Sequence, residues 1–426
     1  MEEENFEKRQ LFLIIIVFIS FAFTYAFFVP FNAAPDEAAH FDYIDFIVEN
    51  RKLPSPSLIN DGVMEIDLAT TALPRDKKFY YEVHQPPLYY LINAPLLFLG
   101  KKISLSNSYL FPRLFSALLG ALTLFVVYKI ACLVFPHNLY LKLAAPLAVF
   151  FVPMFVYMSA MINNDALANL MGALLIFYCL KVIRMSPNEL NKNLYFTGGI
   201  ILSLSFLTKT VIYPLILLLL FLLFLKSIKN LGNIKWLIIL TIAPLLAVSE
   251  LWFLRNYLIQ KNIFGWADLL TLQQFHSPLT LNIVTLDMWL DQLFDSFWGD
   301  FLNWQDVYLP QATGLMLRGL VTLVFVIIIS YLVSQWQKIP KFQKQALFVF
   351  IYVLASICLG LVIFNLKFYQ PQGRYFFPAI SVFALGLAYT WHKLTPSRLK
   401  RGSLVSFFLL AVLLNLIALI RIAMVL

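Results

Sequence analysis

Uninterrupted apolar runs of around twenty residues recur along this chain, and they constrain its fold more than any other feature. About twenty apolar residues are what a helix needs to cross the hydrocarbon of a bilayer. Inside lipid a backbone must satisfy its own polar groups, so runs of this kind fold as helices. Eleven spans are expected: Leu11–Val29, Phe111–Phe135, Leu141–Met161, Ala166–Ile183, Leu194–Tyr213, Pro214–Leu225, Trp236–Leu254, Leu315–Tyr331, Ala346–Phe364, Tyr375–Trp391 and Leu404–Val425. A twelfth apolar segment, Pro86–Gly100, is short enough to be a re-entrant or juxtamembrane helix. Charged residues make up 13% of the chain, well below the roughly 25% of soluble domains. The expected class is therefore an all-α integral membrane protein forming one polytopic domain over residues 1–426. The acidic and basic start, MEEENFEKRQ, lacks a small-residue cleavage site after its apolar run and reads as a retained first span. Cys132, Cys179 and Cys358 all fall inside apolar runs and suggest neither a disulfide framework nor a metal site.

The formal charge of +9 is distributed topogenically. If Pro86–Gly100 does not cross, the short loops on one side carry Lys142, Lys181, Arg184, Lys192, Lys226, Lys229 and Lys235. The same side then carries Lys338, Lys341, Lys344, Lys393, Arg398, Lys400 and Arg401. That arrangement obeys the positive-inside bias, puts the N-terminus inside, and argues against a nucleic-acid surface. It leaves two large extracytoplasmic segments, 30–110 and 255–311. The second holds an amphipathic stretch, Leu279–Trp304, in which Trp289, Leu293, Phe297 and Phe301 share one face while Asp287, Asp291 and Asp295 take another. Such a helix is expected at the membrane interface, with its aromatic side buried.

Four polar signals fall on that same outer side. Ala34-Pro35-Asp36-Glu37-Ala38-Ala39-His40 reads as a helix start with Pro35 in the first turn, and puts Asp36 and His40 one turn apart. Ordinary acids complementing the helix dipole would look the same. Glu82-Val83-His84-Gln85-Pro86-Pro87-Leu88-Tyr89-Tyr90 has paired prolines that fix the direction of His84 and Gln85, or it is an aromatic anchor. Asn163-Asn164-Asp165 is a tight corner that needs polar turn formers in any case. Gln370-Pro371-Gln372-Gly373-Arg374-Tyr375 brings Arg374 to a membrane edge, and Lys209 offers a second cation near another helix end. Either cation could clasp a phosphate or snorkel. No Walker loop, His-Glu-x-x-His or Gly-x-Ser-x-Gly motif is present.

With these residues in view, the chain resembles the GT-C superfamily of glycosyltransferases. Asp36-Glu37 after the first span, His84-Gln85-Pro86-Pro87-Leu88-Tyr89-Tyr90 and Asp165 look like the corresponding patterns of protein O-mannosyltransferases and of the aminoarabinose transferase of lipid A. Gln372-Gly373-Arg374-Tyr375 together with Phe297-Trp298-Gly299 looks like an uncharacterised prokaryotic group of GT-C-like membrane proteins. The resemblance implies transfer of a sugar from a polyprenyl-phosphate donor to a glycan, lipid or protein acceptor on the extracytoplasmic face of the plasma membrane. It implies Asp36 as general base on the acceptor, with Glu37 supporting or sharing that role. Asp165 matches the second acidic position. Arg374, Lys209 and Gln372 are the expected contacts of the donor phosphate, because charge developing on a leaving phosphate needs fixed cations. The aminoarabinose transferase pattern has Glu-Lys where this chain has His84-Gln85, so a phosphate-binding lysine is missing at that point. His40, His84, Glu82 and Asp165 are candidate ligands for a divalent metal, which spacing alone does not establish. The competing expectation is a non-catalytic carrier or flippase of lipid-linked sugars.

Overall fold

The computed structural model describes residues 2–58, 78–265, 283–302 and 307–426. Every regular element among these residues is a helix, and there is one isolated bridge, between Asp300 and Tyr308. Helices α1 (Glu2–Phe28), α4 (Leu110–Val134) and α7 (Asp165–Arg184) are long apolar rods. Between α1 and α4 lie α2 (Glu37–Asn50) and α3 (Leu88–Ile103), which pack on each other. The run expected at Leu141–Met161 is broken into α5 (Leu139–Phe150) and α6 (Pro153–Ser159), bent by 69°. Pro153 opens α6 because its ring and missing N–H cannot continue the α5 hydrogen-bond ladder.

The second half comprises α8 (Lys192–Phe206), α9 (Tyr213–Ser227) and α10 (Leu231–Gln260), which contains a π-helical turn at Ile238–Ile242. Then come α11 (Ile283–Trp298), α12 (Gln311–Gln335), α13 (Lys341–Asn365), a 3₁₀ turn at Gly373–Ala379, α14 (Ile380–Leu394) and α15 (Lys400–Ala423). The bundle centre is the α4–α7 pair, flanked by α1, α5 and α9, and α14 and α15 close on α5.

This is a multi-pass membrane protein. Among the described residues eight helices are long and apolar enough to span a bilayer, or nine if α5 and α6 form one bent crossing. Eleven spans were expected. The difference lies in α5–α6 and in α8 and α14, which have 15 residues each and fall short of the required length. The segment Pro86–Gly100 emerges as α3, of 16 residues, with Lys101 and Lys102 in its last turn. Large apolar side chains such as Phe12, Leu217, Phe325 and Phe348 remain outward and exposed, as lipid-facing residues should.

The amphipathic stretch is realised as α11, beginning at Ile283; residues 279–282 and 303–306 lie outside the described residues. Trp289 and Trp298 are buried, and Phe297 packs edge-on against Phe377. The aromatic face of α11 therefore turns into the protein. On its other face Asp291 and Asp295 each pair with Arg318 at 2.7 Å. Gly373 makes this docking possible. A Cβ there would lie 2.3 Å from the Phe297 backbone nitrogen and 2.5 Å from the Leu293 carbonyl oxygen. The Gly373 N–H donates to Ser296 Oγ at 2.8 Å, and Ser296 Oγ donates to the Pro371 carbonyl at 3.2 Å. Gly373→Ala is expected to push the 370–375 strap off α11, costing about 1–3 kcal/mol as overpacking does. Thermal unfolding in detergent would detect it, and an unchanged midpoint would contradict this packing.

Candidate active site

The four polar signals of the sequence meet in one place, at the helix ends opposite to those bearing the basic clusters. The construction begins with a fully used ion pair. Arg113, on the first turn of α4, and Glu37, on the first turn of α2, are both completely buried. Arg113 Nε and Nη2 donate to Glu37 Oε1 and Oε2 at 2.7 and 2.6 Å. Its remaining N–H groups donate to the carbonyls of Ala26, Val29 and Pro30 at 2.8, 2.6 and 3.0 Å. All five guanidinium donors are thus consumed. Glu37 also accepts from the backbone N–H groups of Asn32 at 2.9 Å and Ile162 at 3.2 Å. Four donors on two oxygens exhaust its accepting capacity. The expected share of Glu37 in acid–base work is corrected by this geometry: no lone pair remains for a substrate proton. The pair instead ties the end of α1 and the 162 corner to α2 and α4.

Asp36, one residue earlier, is used differently. The helix starts at Glu37, so Pro35 sits in the turn before it and Asp36 is the N-cap, in the left-handed region at φ 62°. That conformation costs a non-glycine residue roughly 1–2 kcal/mol. Its Oδ1 accepts from Tyr81 Oη at 3.1 Å and its Oδ2 from Arg374 Nη2 at 2.5 Å. Each oxygen keeps accepting capacity. Burial pushes the Asp36 carboxyl upward, but Arg374, His40 and Lys209 pull it below its ordinary value.

Arg374 is the hub. Gln372 Oε1 accepts from its Nε at 2.6 Å, so Gln372 stands behind the guanidinium and aims it. Nη1 lies 3.7 Å from Asp165 Oδ2 but makes no hydrogen bond, and Asp165 Oδ2 likewise has none. Lys209 Nζ donates to the other oxygen, Asp165 Oδ1, at 2.5 Å. Two carboxylates and two cations thus alternate, with spare N–H donors on Arg374 and Lys209.

The His84–Tyr90 motif builds the floor. Tyr90 stacks face to face on Tyr43 with ring centres 3.7 Å apart, and its Oη lies 2.8 Å from His40 Nδ1. Tyr89 Oη is 2.7 Å from Ser116 Oγ and accepts from the Asn163 N–H at 3.1 Å, which fixes the corner leading to Asp165. The Leu88 N–H donates to the Leu207 carbonyl at 3.0 Å and so binds the motif to the loop carrying Lys209. His84 Nδ1 lies 2.8 Å from the Tyr81 carbonyl, and burial lowers its imidazole to about 4, keeping it neutral at physiological pH. Burial also lowers His40, against the pull of Glu82 and Asp36. Burial raises the carboxyl of Glu82, against the pull of His40, and Glu82 Oε2 has no hydrogen-bond partner.

The expected metal set does not assemble. Among the described residues no three His, Cys, Asp or Glu side chains converge as a metal site. Asp165 and Asp36 face cationic nitrogens, a donor set that suits an anion better than a cation. Arg113 and Tyr81 are residues of this region the sequence reading did not single out, and Asn164, named there only as part of the tight corner, has a side-chain amide buried without a partner. Arg113 had a legible signal: an arginine inside an apolar run deserves a functional or structural partner by default.

Comparison with solved structures shows the same architecture. ArnT from Cupriavidus metallidurans bound to undecaprenyl phosphate superposes with a TM-score of 0.55 at 13% identity, over 92% of this chain and 62% of that one. The oligosaccharyltransferase of Archaeoglobus fulgidus in its apo form gives 0.51 at 13% identity, over 97% of this chain and 56% of that one. The chain therefore has the GT-C fold, and spans less than two thirds of the length of either structure. No curated protein matches the sequence. A family model described as a predicted membrane protein, DUF2142, matches residues 64–383, and the chain belongs to that family.

Proposed function

We propose that this protein is a membrane glycosyltransferase that transfers a sugar from a polyprenyl-phosphate carrier to an acceptor hydroxyl on the extracytoplasmic face of the plasma membrane. The observation that carries the reading is the pairing of Arg374 and Lys209 with Asp36 and Asp165, spare donors included, on a fold shared with a protein crystallised with undecaprenyl phosphate. Asp36 accepts the proton of the acceptor hydroxyl as its oxygen attacks the anomeric carbon. The bond from that carbon to the phosphate oxygen breaks, and its electron pair leaves with polyprenyl phosphate. Arg374 Nη1 and Lys209 Nζ neutralise the leaving phosphate, where fixed cations lower the barrier most. Gln372 and Tyr81 are positioning residues.

The low proton affinity of Asp36 in the resting site is at first sight unsuited to a base, which works best with a pKa near the working pH. Arg374 is what holds Asp36 down, and a donor phosphate that engages Arg374 shares that positive charge. Donor binding thus raises the basicity of Asp36 when the acceptor needs it. Asp165 and Lys209 act as a second clamp, with His40 and Glu82 beside the acceptor.

Purified protein is expected to bind undecaprenyl phosphate, and Lys209→Gln to bind it about tenfold more weakly, the equivalent of ~1.4 kcal/mol. Native mass spectrometry in lipid nanodiscs measures this. Equal affinity in the two proteins would remove Lys209 from the phosphate site. The carrier reading differs in outcome: it moves the lipid-linked sugar with its phosphate bond intact.

A further inference from the structure

Helix α7 starts in the candidate site at Asp165 and ends at Arg184, about 30 Å away for its length. At that far end the termini of α4, α5, α7, α12, α13 and α14 border an open cavity of ≈ 630 Å³. Phe135, Phe342 and Tyr389 form apolar walls, and Arg184, Lys393 and His392 provide the charged and polar lining. No aspartate or glutamate lines it. Among the described residues neither cation is ion-paired. Arg184 instead lies over the Phe342 ring at 5.9 Å, and Lys393 over the Tyr331 ring at 5.0 Å.

His392 also lines the cleft. Its Nε2 lies 3.3 Å from both Asn138 Nδ2 and Lys400 Nζ, two donors, so Nε2 accepts and the ring proton sits on Nδ1. That Nδ1–H is buried without a partner. The first turn of α13, at Pro340 to Gln343, also faces the cavity and has no side-chain cap. Asn138, Gln343 and Tyr389 add neutral polar groups, and no side chain of the lining offers a negative charge against the two cations. The complement is an anion.

The walls say which anion. A free phosphate would leave the aromatic surfaces without contact, whereas a phospholipid would cover them with its glycerol and first acyl carbons. Helix ends in a multi-pass bundle lie at headgroup depth, where basic pockets between spans take acidic lipid headgroups. A zwitterionic lipid would bring its own ammonium group against Arg184 and Lys393. We propose that this cavity is a binding site for the phosphate of an anionic phospholipid, held by Arg184 and Lys393, at the opposite end of the bundle from the candidate active site.

The test uses the full-length protein in nanodiscs of phosphatidylglycerol mixed with phosphatidylcholine, released into detergent and weighed by native mass spectrometry. The wild type is expected to retain one phosphatidylglycerol in preference to phosphatidylcholine. Arg184→Gln/Lys393→Gln is expected to lose that adduct by roughly tenfold or more, because each cation near the membrane surface attracts the anionic headgroup. Lys229→Gln/Lys235→Gln removes equal charge at the same end outside the cavity lining and is expected to keep it. Equal retention by the cavity variant and the wild type would overturn the proposal, as would equal loss in both double variants, which would mean a diffuse surface effect. Millimolar inorganic phosphate is expected to leave the adduct in place; its displacement by phosphate alone would overturn the assignment to a lipid.

Discussion

Asp36→Asn is expected to reduce sugar transfer by about 10²–10⁴-fold, the contribution of a positioned general base, while leaving the protein folded and inserted at a modestly lower stability, because the carboxylate that Arg374 holds ionised is lost. The amide keeps the shape of the carboxylate and can still accept from Tyr81 or Arg374, so the local frame has partners on both sides. It cannot take up the acceptor proton. The backbone at Asp36 is left-handed, a conformation asparagine tolerates as well as aspartate. Mass spectrometry of surface glycans from cells carrying either gene, with the protein quantified in the membrane fraction, reads both effects. Normal glycans at normal protein levels in the mutant would remove Asp36 from the chemistry.

The neighbouring carboxylate should behave in the opposite way. Glu37→Gln is expected to destabilise the fold by roughly 3–5 kcal/mol, the cost of breaking a buried ion pair from one side. In either orientation its amide nitrogen would point at two donors, one N–H of Arg113 and the backbone N–H of Ile162 or Asn32. Arg113→Lys should fail as well, because a lysine has three donors where the site consumes five. The measurement is the unfolding midpoint in detergent together with expression level, and a double-mutant cycle over the two positions should show strong coupling. If Glu37→Gln kept full stability and lost only turnover, Glu37 would belong to the reaction and the structural reading would be wrong. Two adjacent acids thus divide the labour: one holds the corner of the bundle and the other is free to work on a ligand.

That division could not be read from Asp36-Glu37 alone. The sequence marks both as acids at a helix start, and only the three-dimensional reach of Arg113, 76 positions away, distinguishes them. The membrane class, by contrast, was legible at once, because apolar length is a local property that no tertiary contact has to supply. The count of crossings was less so: α5 and α6 part at Val152–Pro153, and α8 and α14 are each 15 residues. The gathering of Asp36, His40, Glu82, His84, Asp165, Lys209, Gln372 and Arg374 was anticipated from sidedness, since all fell at the same ends of the helices. Their internal wiring was not. Gln372, expected at the donor phosphate, sits behind Arg374 because a strap anchored by Gly373 on α11 fixes its direction. The role of α11 also shifted. Its aromatic face fits the periodicity of an interfacial helix, but a protein surface at Phe377 covers it just as well, and amphipathicity alone cannot name the partner.

The central claim is that the Asp36–Arg374–Asp165–Lys209 centre cleaves the bond between a sugar and its lipid phosphate. The direct measurement is the release of polyprenyl phosphate from sugar-labelled lipid by the purified protein in proteoliposomes, with a cell-envelope extract supplying the acceptor hydroxyl and Asp36→Asn alongside. The account predicts that the wild type converts labelled lipid to polyprenyl phosphate while the mutant leaves it whole. Labelled lipid that crosses the bilayer with its sugar–phosphate bond intact, equally in both proteins, would contradict it.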